Sequence, residues 1–357
     1  MGQKIPTSTS FELPDGRTVT IETGKLASQA DGSVVIRVGD TMLFCSVVSA
    51  KEPREGQAFF PLSVDYQEKF AAAGRIPGNF FRREARLSDY EVLISRLVDR
   101  AIRPLFPDGY MNDTQVIINL ISGEKEVLPD CFAALAASSA LAVSDIPFAG
   151  PISEVRVARI NGRFIVNPFK SDLENADLDI IVAATMDNVM MVEGEAKEVS
   201  EAALIEAIQI GHEAIKVQCK AQLELAEKVG DKALNKREVN IPQVPEDIQK
   251  LVEDATKDKI YEIAAGELDK NARKEGFKKI IDDLIDELTE KHGEEWTAEH
   301  GEDVKEHYGD FKKKVIREMV LADGKRLDGR AFDEIRDIWT EIDYLPAAHG
   351  SAVFTRG

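Results

Sequence analysis

The chain has 357 residues, of which 43% are hydrophobic, enough for two or three domains with substantial buried cores. Its formal net charge of −19 excludes a protein coated in nucleic acid and leaves room only for a local basic site. Three widely spaced cysteines, Cys45, Cys131 and Cys219, with no CxxC, point to buried reduced thiols; a disulfide framework, a zinc site and a membrane span all lack their patterns.

Residues 11–50 read as strands. RTVTIETG alternates apolar and polar residues and Gly24 closes it. SVVIRVGDTMLFCSVVSA predicts a hairpin turning at Gly39-Asp40, its second run apolar on both faces and therefore central. FFPLSVDYQ at 59–67 continues the pattern. Phe80, Phe81, Arg82 and Arg83 then crowd together after Pro77 and Gly78, and Arg86 follows. Ser88 and Glu91 form an S-x-x-E capping box that starts a helix. Arg96, Arg100 and Arg103 recur along it at spacings of four and three, on one face, until Pro104 and Pro107 end it. Residues 75–103 hold seven Arg against four Asp and Glu, a net of 7 − 4 = +3. Arginine forks grip phosphate oxygens and aromatic faces stack on unpaired bases, so the stretch suits nucleic acid. The same residues also suit an amphipathic helix whose arginines pair with Glu91 and Asp99, after a loop whose phenylalanines are core.

TQVIINLIS at 114–122 reads as a buried strand, and DCFAALAASSALAV at 130–143 as a small-residue helix able to pack closely on a sheet. VRVARING and RFIVNP predict a hairpin, LDIIVAATMD and VMMVEGEA two further strands, and a long helix runs from its cap at Ser200 to its stop at Gly230. Up to about residue 230 the expectation is one mixed sheet covered by helices, a two-layer α/β (α+β) domain. PQVPED at 242–247 is a linker, after which three helices fill the span to about 320. Residues 201–320 carry 20 Lys and Arg against 29 Asp and Glu, 20 − 29 = −9, which predicts a solvated helical bundle without chemistry. Strands return after Gly324. Gly32-Ser33-Val34-Val35 aligns with Gly350-Ser351-Ala352-Val353, so a second copy of the opening domain starts near Asp323. A domain whose strands stop with their core unmade would expose an edge that invites association, so this reads as part of a longer protein.

Four stretches carry a resemblance. They are FFPLSVDYQEKFAAAGRIPG at 59–78, its continuation NFFRREARLSDYEVLISRLVDRAIRPLFP, SDIPFAGPISEVRVARING at 144–162 and KRLDGRAFDEIRDI at 325–338. Together they resemble the bacterial polynucleotide phosphorylase family from about Phe11 to Gly357. The resemblance implies a first RNase PH-like core at 1–230 (subregions 11–145 and 146–230), an all-α domain at 231–322 and the start of a second core at 323–357. It implies a phosphate-dependent 3′→5′ exoribonuclease of RNA decay that releases nucleoside diphosphates. Inorganic phosphate would be the co-substrate, with Mg²⁺ or Mn²⁺ bound outside this stretch. A cytoplasmic homotrimer acting on single-stranded RNA, with other RNA-decay proteins as further partners and no membrane, is implied as well.

In that family the phosphate loop and an Asp-x-Asp-x-Lys carboxylate strand belong to the second core. Here the matching positions are Ser122–Asp130, with Glu124, Glu126 and Pro129, and Asp177, Asp179 and Ile181. The first core therefore reads as a degenerate copy, with no catalytic and no metal-binding residue, and His349 and Arg356 receive no role. What remains is RNA handling: Phe80, Phe81, Arg82 and Arg83 by their match to the family's channel loop, with Arg86, Arg96, Arg100 and Arg103 beside them. The alternatives are a non-catalytic RNA-binding ring subunit of exosome type and a stand-alone RNase PH. The helical segment and the restarted repeat argue against the latter.

Overall fold

The computed structural model describes residues 5–54, 57, 59–78, 86–239 and 244–357. Phe80, Phe81, Arg82 and Arg83 lie outside the described residues. The chain divides into two compact units, Met1–Ile241 and Pro242–Gly357.

In the first unit the expected single mixed sheet is two sheets. The larger contains β1 (Thr7–Glu12), β2 (Thr18–Thr23), β3 (Gly32–Val38), β4 (Thr41–Ser49), β5 (Leu62–Glu68) and β6 (Thr114–Ser122), in the order β1-β2-β3-β4-β6-β5. All neighbours are antiparallel except β5 and β6, which run parallel and need a crossover. Helix α1 (Asp89–Ile102) lies within that crossover and packs on β5. Gly39, at φ +59°, turns β3 into β4, where the sequence placed the hairpin. The β4 strand is central between β3 and β6. The β6 strand alternates buried and half-exposed positions along most of its length, where a fully buried strand was expected.

The second sheet, β10-β9-β7-β8, is formed by β7 (Ser153–Ile160), β8 (Arg163–Val166), β9 (Ala176–Ala184) and β10 (Val189–Ala196), all antiparallel. These strands follow one another through short connections, so they satisfy their ladders among themselves and leave the first sheet alone. Helix α3 (Glu201–Val229) covers them, capped by the Ser200 hydroxyl, which accepts from the Ala203 amide.

Helix α2 (Ala133–Ala142) touches strands of both sheets and is buried at nearly every position from Ala133 to Leu141. A helix apolar all round belongs inside, and its alanines and serines let backbones approach. A methyl group on Gly32 would fall 2.0 Å from the Ala140 carbonyl oxygen, so the start of β3 must be glycine. A short turn, α4 (Asp231–Leu234), closes the unit, and Lys236 donates to the Leu141, Ala142 and Ser144 carbonyls at the end of α2.

The second unit is three helices, α5 (Glu246–Ala265), α6 (Lys270–His292) and α7 (Glu294–Asp323), around a core that includes Val252, Ile260, Leu284, Val304 and Val315. An antiparallel pair follows, β11 (Ile338–Ile342) and β12 (Ala352–Arg356). Residues between α7 and β11 are bonded to the helices: Arg273 donates to the Leu327 carbonyl at 2.9 Å and Lys325 pairs with Glu267 at 3.0 Å. Among the described residues no helix is long and apolar enough to cross a membrane.

Candidate nucleic-acid interface

The arginine helix starts as the sequence predicts. The Ser88 hydroxyl accepts from the Glu91 amide and Glu91 Oε2 accepts from the Ser88 amide at 2.7 Å. Glu91 Oε1 also accepts from the Glu68 amide at 2.8 Å, which ties α1 to the end of β5. Glu91 is thereby consumed and pairs with no arginine among the described residues.

The three helix arginines do share a face, lining a groove of about 490 Å³ between α1 and β5, but their duties differ. Arg103 grips Asp99 through Nε at 2.9 Å and Nη2 at 2.6 Å, and donates to the Phe60 and Leu62 carbonyls. It is a fold residue, fastening the helix end to the strand's approach. Arg100 pairs with Glu193 at 2.6 Å, both side chains about half exposed, so a phosphate can compete for it. Arg96 and Arg86 are exposed and form no ion pair or hydrogen bond with a described residue. Among the described residues Arg86 and Arg96 thus have no partner, Arg100 shares its charge with Glu193, and Arg103 is engaged by Asp99 and two carbonyls.

Tyr90, in the first turn of α1, lines a crevice of about 770 Å³ at the carboxyl ends of β5 and β6. Crevices at that edge of parallel strands are where α/β folds hold ligands. Lys69, Arg75, Lys125 and Lys170 line it against Glu68 and Glu124. The segment Ser122–Asp130 forms part of this wall, so the position of the family's phosphate loop is a cation-rimmed opening. Glu124 Oε1 accepts from the Asp40 amide, closing the β3–β4 turn. The Glu126 carboxylate accepts from the Ser171 amide at 3.2 Å, and hydrogen bonding at Ser171 holds it below the usual carboxylate range. Burial raises the Glu68 carboxyl, opposed by the Tyr66 hydroxyl that donates to it at 2.9 Å.

The Asp-x-Asp pair sits on β9 and each carboxylate is occupied. Asp177 accepts two bonds from Arg159, at 2.8 and 2.7 Å, which hold it below the ordinary carboxylate range. Asp179 accepts two from Arg156 Nη1, at 2.8 and 2.7 Å, and Nη2 of Arg156 donates to Asp130. Burial opposes the charge of Arg156, but Asp130 and Asp179 outweigh it. Beside them Glu154, 1% exposed, accepts from the Ala134 amide at 2.6 Å and so caps α2 from β7; burial pushes its pKa to about 8. Ile181 is buried in the core beneath this network. The carboxylates already hold guanidinium groups, and among the described residues no three His, Cys, Asp or Glu are placed to share a metal ion. These residues do not fit a divalent cation. The three cysteines are buried and free; burial pushes Cys219 to about 12 and Cys45 further. Among the described residues the arrangement gathers cations whose donors suit phosphate oxygens.

Sequence reasoning missed Lys69, Arg75, Lys125 and Lys170, which are scattered over 102 positions and meet only in the fold. It also missed the Asp130–Arg156–Asp179 network, although Asp at the head of one element and Arg on the next strand left a weak signal.

Fold and crevice define the class: an α/β core of RNase PH type joined to a helical domain. The model of the 3′ exoribonuclease family matches residues 15–147 as its domain 1 and 150–214 as its domain 2. Residues 243–331 match the model described as polyribonucleotide nucleotidyltransferase, RNA binding domain. The polyribonucleotide nucleotidyltransferase of Bacteroides fragilis is 55% identical over 353 residues, covering 99% of this chain and 49% of that protein. That of Cytophaga hutchinsonii is 53% identical over 351 residues, covering 98% and 48%. The chain belongs to the polyribonucleotide nucleotidyltransferase family, and it spans about half the length of these curated relatives. A chain of the Archaeoglobus fulgidus exosome, solved with RNA bound to the active site, shares 18% identity at a TM-score of 0.46, covering 61% of this chain and 92% of that one.

Proposed function

We propose that this chain is the RNA-handling part of a phosphate-dependent 3′→5′ exoribonuclease that releases nucleoside diphosphates. On this reading inorganic phosphate and Mg²⁺ or Mn²⁺ are held by the part of the relatives' length that this chain does not span, and the whole protein assembles as a cytoplasmic homotrimer. The observation that carries the reading is the cation-rimmed crevice, together with β9 carboxylates already spent on Arg156 and Arg159. Such a surface holds a phosphate chain by charge-assisted bonds without supplying the groups that cleave it. The arginines Arg82 and Arg83, with Phe80 and Phe81, are assigned to the same strand of RNA, joined by Arg86, Arg96 and Arg100.

The test is a titration of single-stranded RNA at several salt concentrations, with Arg82→Ala/Arg83→Ala and Arg96→Ala variants, alongside release of nucleoside diphosphates from poly(A) with phosphate and Mg²⁺ or Mn²⁺. We expect the unsubstituted chain to bind, each lost phosphate contact to flatten the salt dependence by roughly one unit of slope, and no diphosphate to be released. Unchanged affinity and slope would remove the arginines from the site. Release abolished by Asp179→Ala would move the chemistry into this chain.

A further inference from the structure

The helical unit is not the featureless solvated bundle its charge predicts. Residues 246–323 carry 14 Lys and Arg against 23 Asp and Glu, 14 − 23 = −9. Yet six of those cations, Lys270, Arg273, Lys274, Lys278, Lys305 and Lys312, line one groove of about 520 Å³ between α6 and α7, and no acidic residue lines it. Lys270, Lys274 and Lys278 recur every four residues, so they form one ridge along α6 with steps of about 6 Å. Lys305 and Lys312 stand two turns apart on α7 and face them. Only Lys305 has a carboxylate partner among the described residues, Glu302 at 2.8 Å on its own helix. Arg273 donates to the carbonyls of Leu268 and Leu327 and makes no ion pair with a described residue. Gathering like charges in an acidic unit costs free energy that a bound polyanion returns.

A second, independent feature lies in the groove wall. Gly309 interrupts the middle of α7, where glycine costs about 1 kcal/mol relative to alanine. Gly276 on α6 has an internal reason, since a methyl group there would lie 2.8 Å from the Ile263 side chain. A methyl group on Gly309 would meet no described atom within 4 Å beyond its own stretch of helix. The space it leaves opens to the groove, which fits a ligand approaching the backbone closely.

We infer that this groove is a second RNA-binding site of the chain, one that grips the phosphate backbone of a single strand and reads no bases. Backbone recognition follows from the aromatic residues. Lys312 Nζ lies 5.4 Å from the Tyr308 ring centre and 5.7 Å from that of Phe277, and the Tyr308 hydroxyl donates to the Phe277 carbonyl at 2.7 Å. Tyr308 is 4% exposed. Tyr308 therefore serves the protein and the half-buried Phe277 ring has Lys312 beside it, while the lysine ridge offers regularly spaced point charges. The inference rests on the proposed RNA-handling role and locates, within residues matched by the RNA binding domain model, a surface on which strands are held.

The experiment uses the whole chain and homopolymer RNAs of equal length, titrated at several salt concentrations. Lys274→Gln/Lys278→Gln/Lys312→Gln is compared with Lys257→Gln/Lys259→Gln/Lys291→Gln, which removes the same charge from exposed lysines of the same unit outside the groove. We expect the groove variant to lose affinity at least tenfold and to flatten the salt slope by about two to three units, equally for each homopolymer. The control variant should keep the slope. Lys274→Arg/Lys278→Arg should retain binding, and Gly309→Ala should raise the melting temperature while weakening RNA binding. Equal effects of the two triple variants, or binding that the groove variant retains in full, would overturn the inference alone. No binding by the unsubstituted chain would overturn it together with the proposed role.

Discussion

The two copies of the repeated hairpin have the same strand pairing and opposite surroundings. In β2–β3, Glu22 faces Val35 and the last ladder pair is Thr23 with Val34. In β11–β12, Glu341 faces Val353 and the last pair is Ile342 with Ala352. The register matches residue for residue once Gly32-Ser33 is laid on Gly350-Ser351. The first copy is flanked by β1 and β4 and lies on α2, and Val34, Val35 and Ile36 are at most 3% exposed. In the second copy Ile338, Trp339, Ile342 and Phe354 are all more than half exposed, and among the described residues the sheet has two strands. Local sequence therefore sets which strands pair and in what register. Burial is conferred by elements far away in the chain, and with it the energetic weight of each side chain.

Matched substitutions measure that weight. The largest difference is expected between Ile36→Ala and Phe354→Ala, which occupy the same position of the repeat. Ile36 is 0% exposed inside the main core, and its truncation should cost roughly 2–5 kcal/mol. Phe354 is 66% exposed, and its truncation should stay within about 0.5 kcal/mol. Trp296 and Trp339 both belong to the second unit, so tryptophan emission in urea follows that unit. Amide hydrogen exchange of β3 and β4 follows the first. A comparable loss from Phe354→Ala would show that the second hairpin is packed.

The contrast also marks what the sequence could and could not reveal. Helix limits were legible because caps act locally: Ser88 with Glu91, Ser200, and Gly230 all fall where the chain predicts. The turn at Gly39 was legible for the same reason. Side-chain duties were not, because partners come from other elements. Arg103 looked like its neighbours Arg96 and Arg100, yet carbonyls of residues 60 and 62 claim it. Asp177 and Asp179 took their arginines from β7, across the ladder. The groove lysines vanished in a net charge of −9, since an average over a helical bundle erases the face on which charges gather.

The second comparison is smaller and concerns space alone. A methyl group on Gly32 would overlap the Ala140 carbonyl at 2.0 Å, where neither backbone can yield without moving α2 from β3. Gly32→Ala should cost about 1–3 kcal/mol, the range for overpacked cores. A methyl group on Gly350 would meet nothing within 4 Å, so Gly350→Ala should cost nothing measurable in the same exchange and urea experiments. If both substitutions were tolerated, the close seat of α2 on β3 would not be what demands glycine at this position.

The smallest difference is expected at the serine between these positions. The Ser33 hydroxyl donates to the Leu26 carbonyl at 2.7 Å, and Ser33 is 9% exposed. The Ser351 hydroxyl accepts from the Leu345 amide at 2.9 Å in an exposed setting. Both side chains tie the strand to the loop that precedes it, although Ser33 does so as a donor and Ser351 as an acceptor. Removing a buried donor strands its acceptor away from water, which costs about 1 kcal/mol, whereas an exposed amide rebonds to solvent at little loss. Ser33→Ala should therefore lower protection of the β3 amides by about 1 kcal/mol, and Ser351→Ala should change the second unit by a few tenths at most. Equal losses would mean that the hydrogen bond acts by ordering the loop in both copies, and that solvent access, the variable on which the comparison turns, does not govern this position.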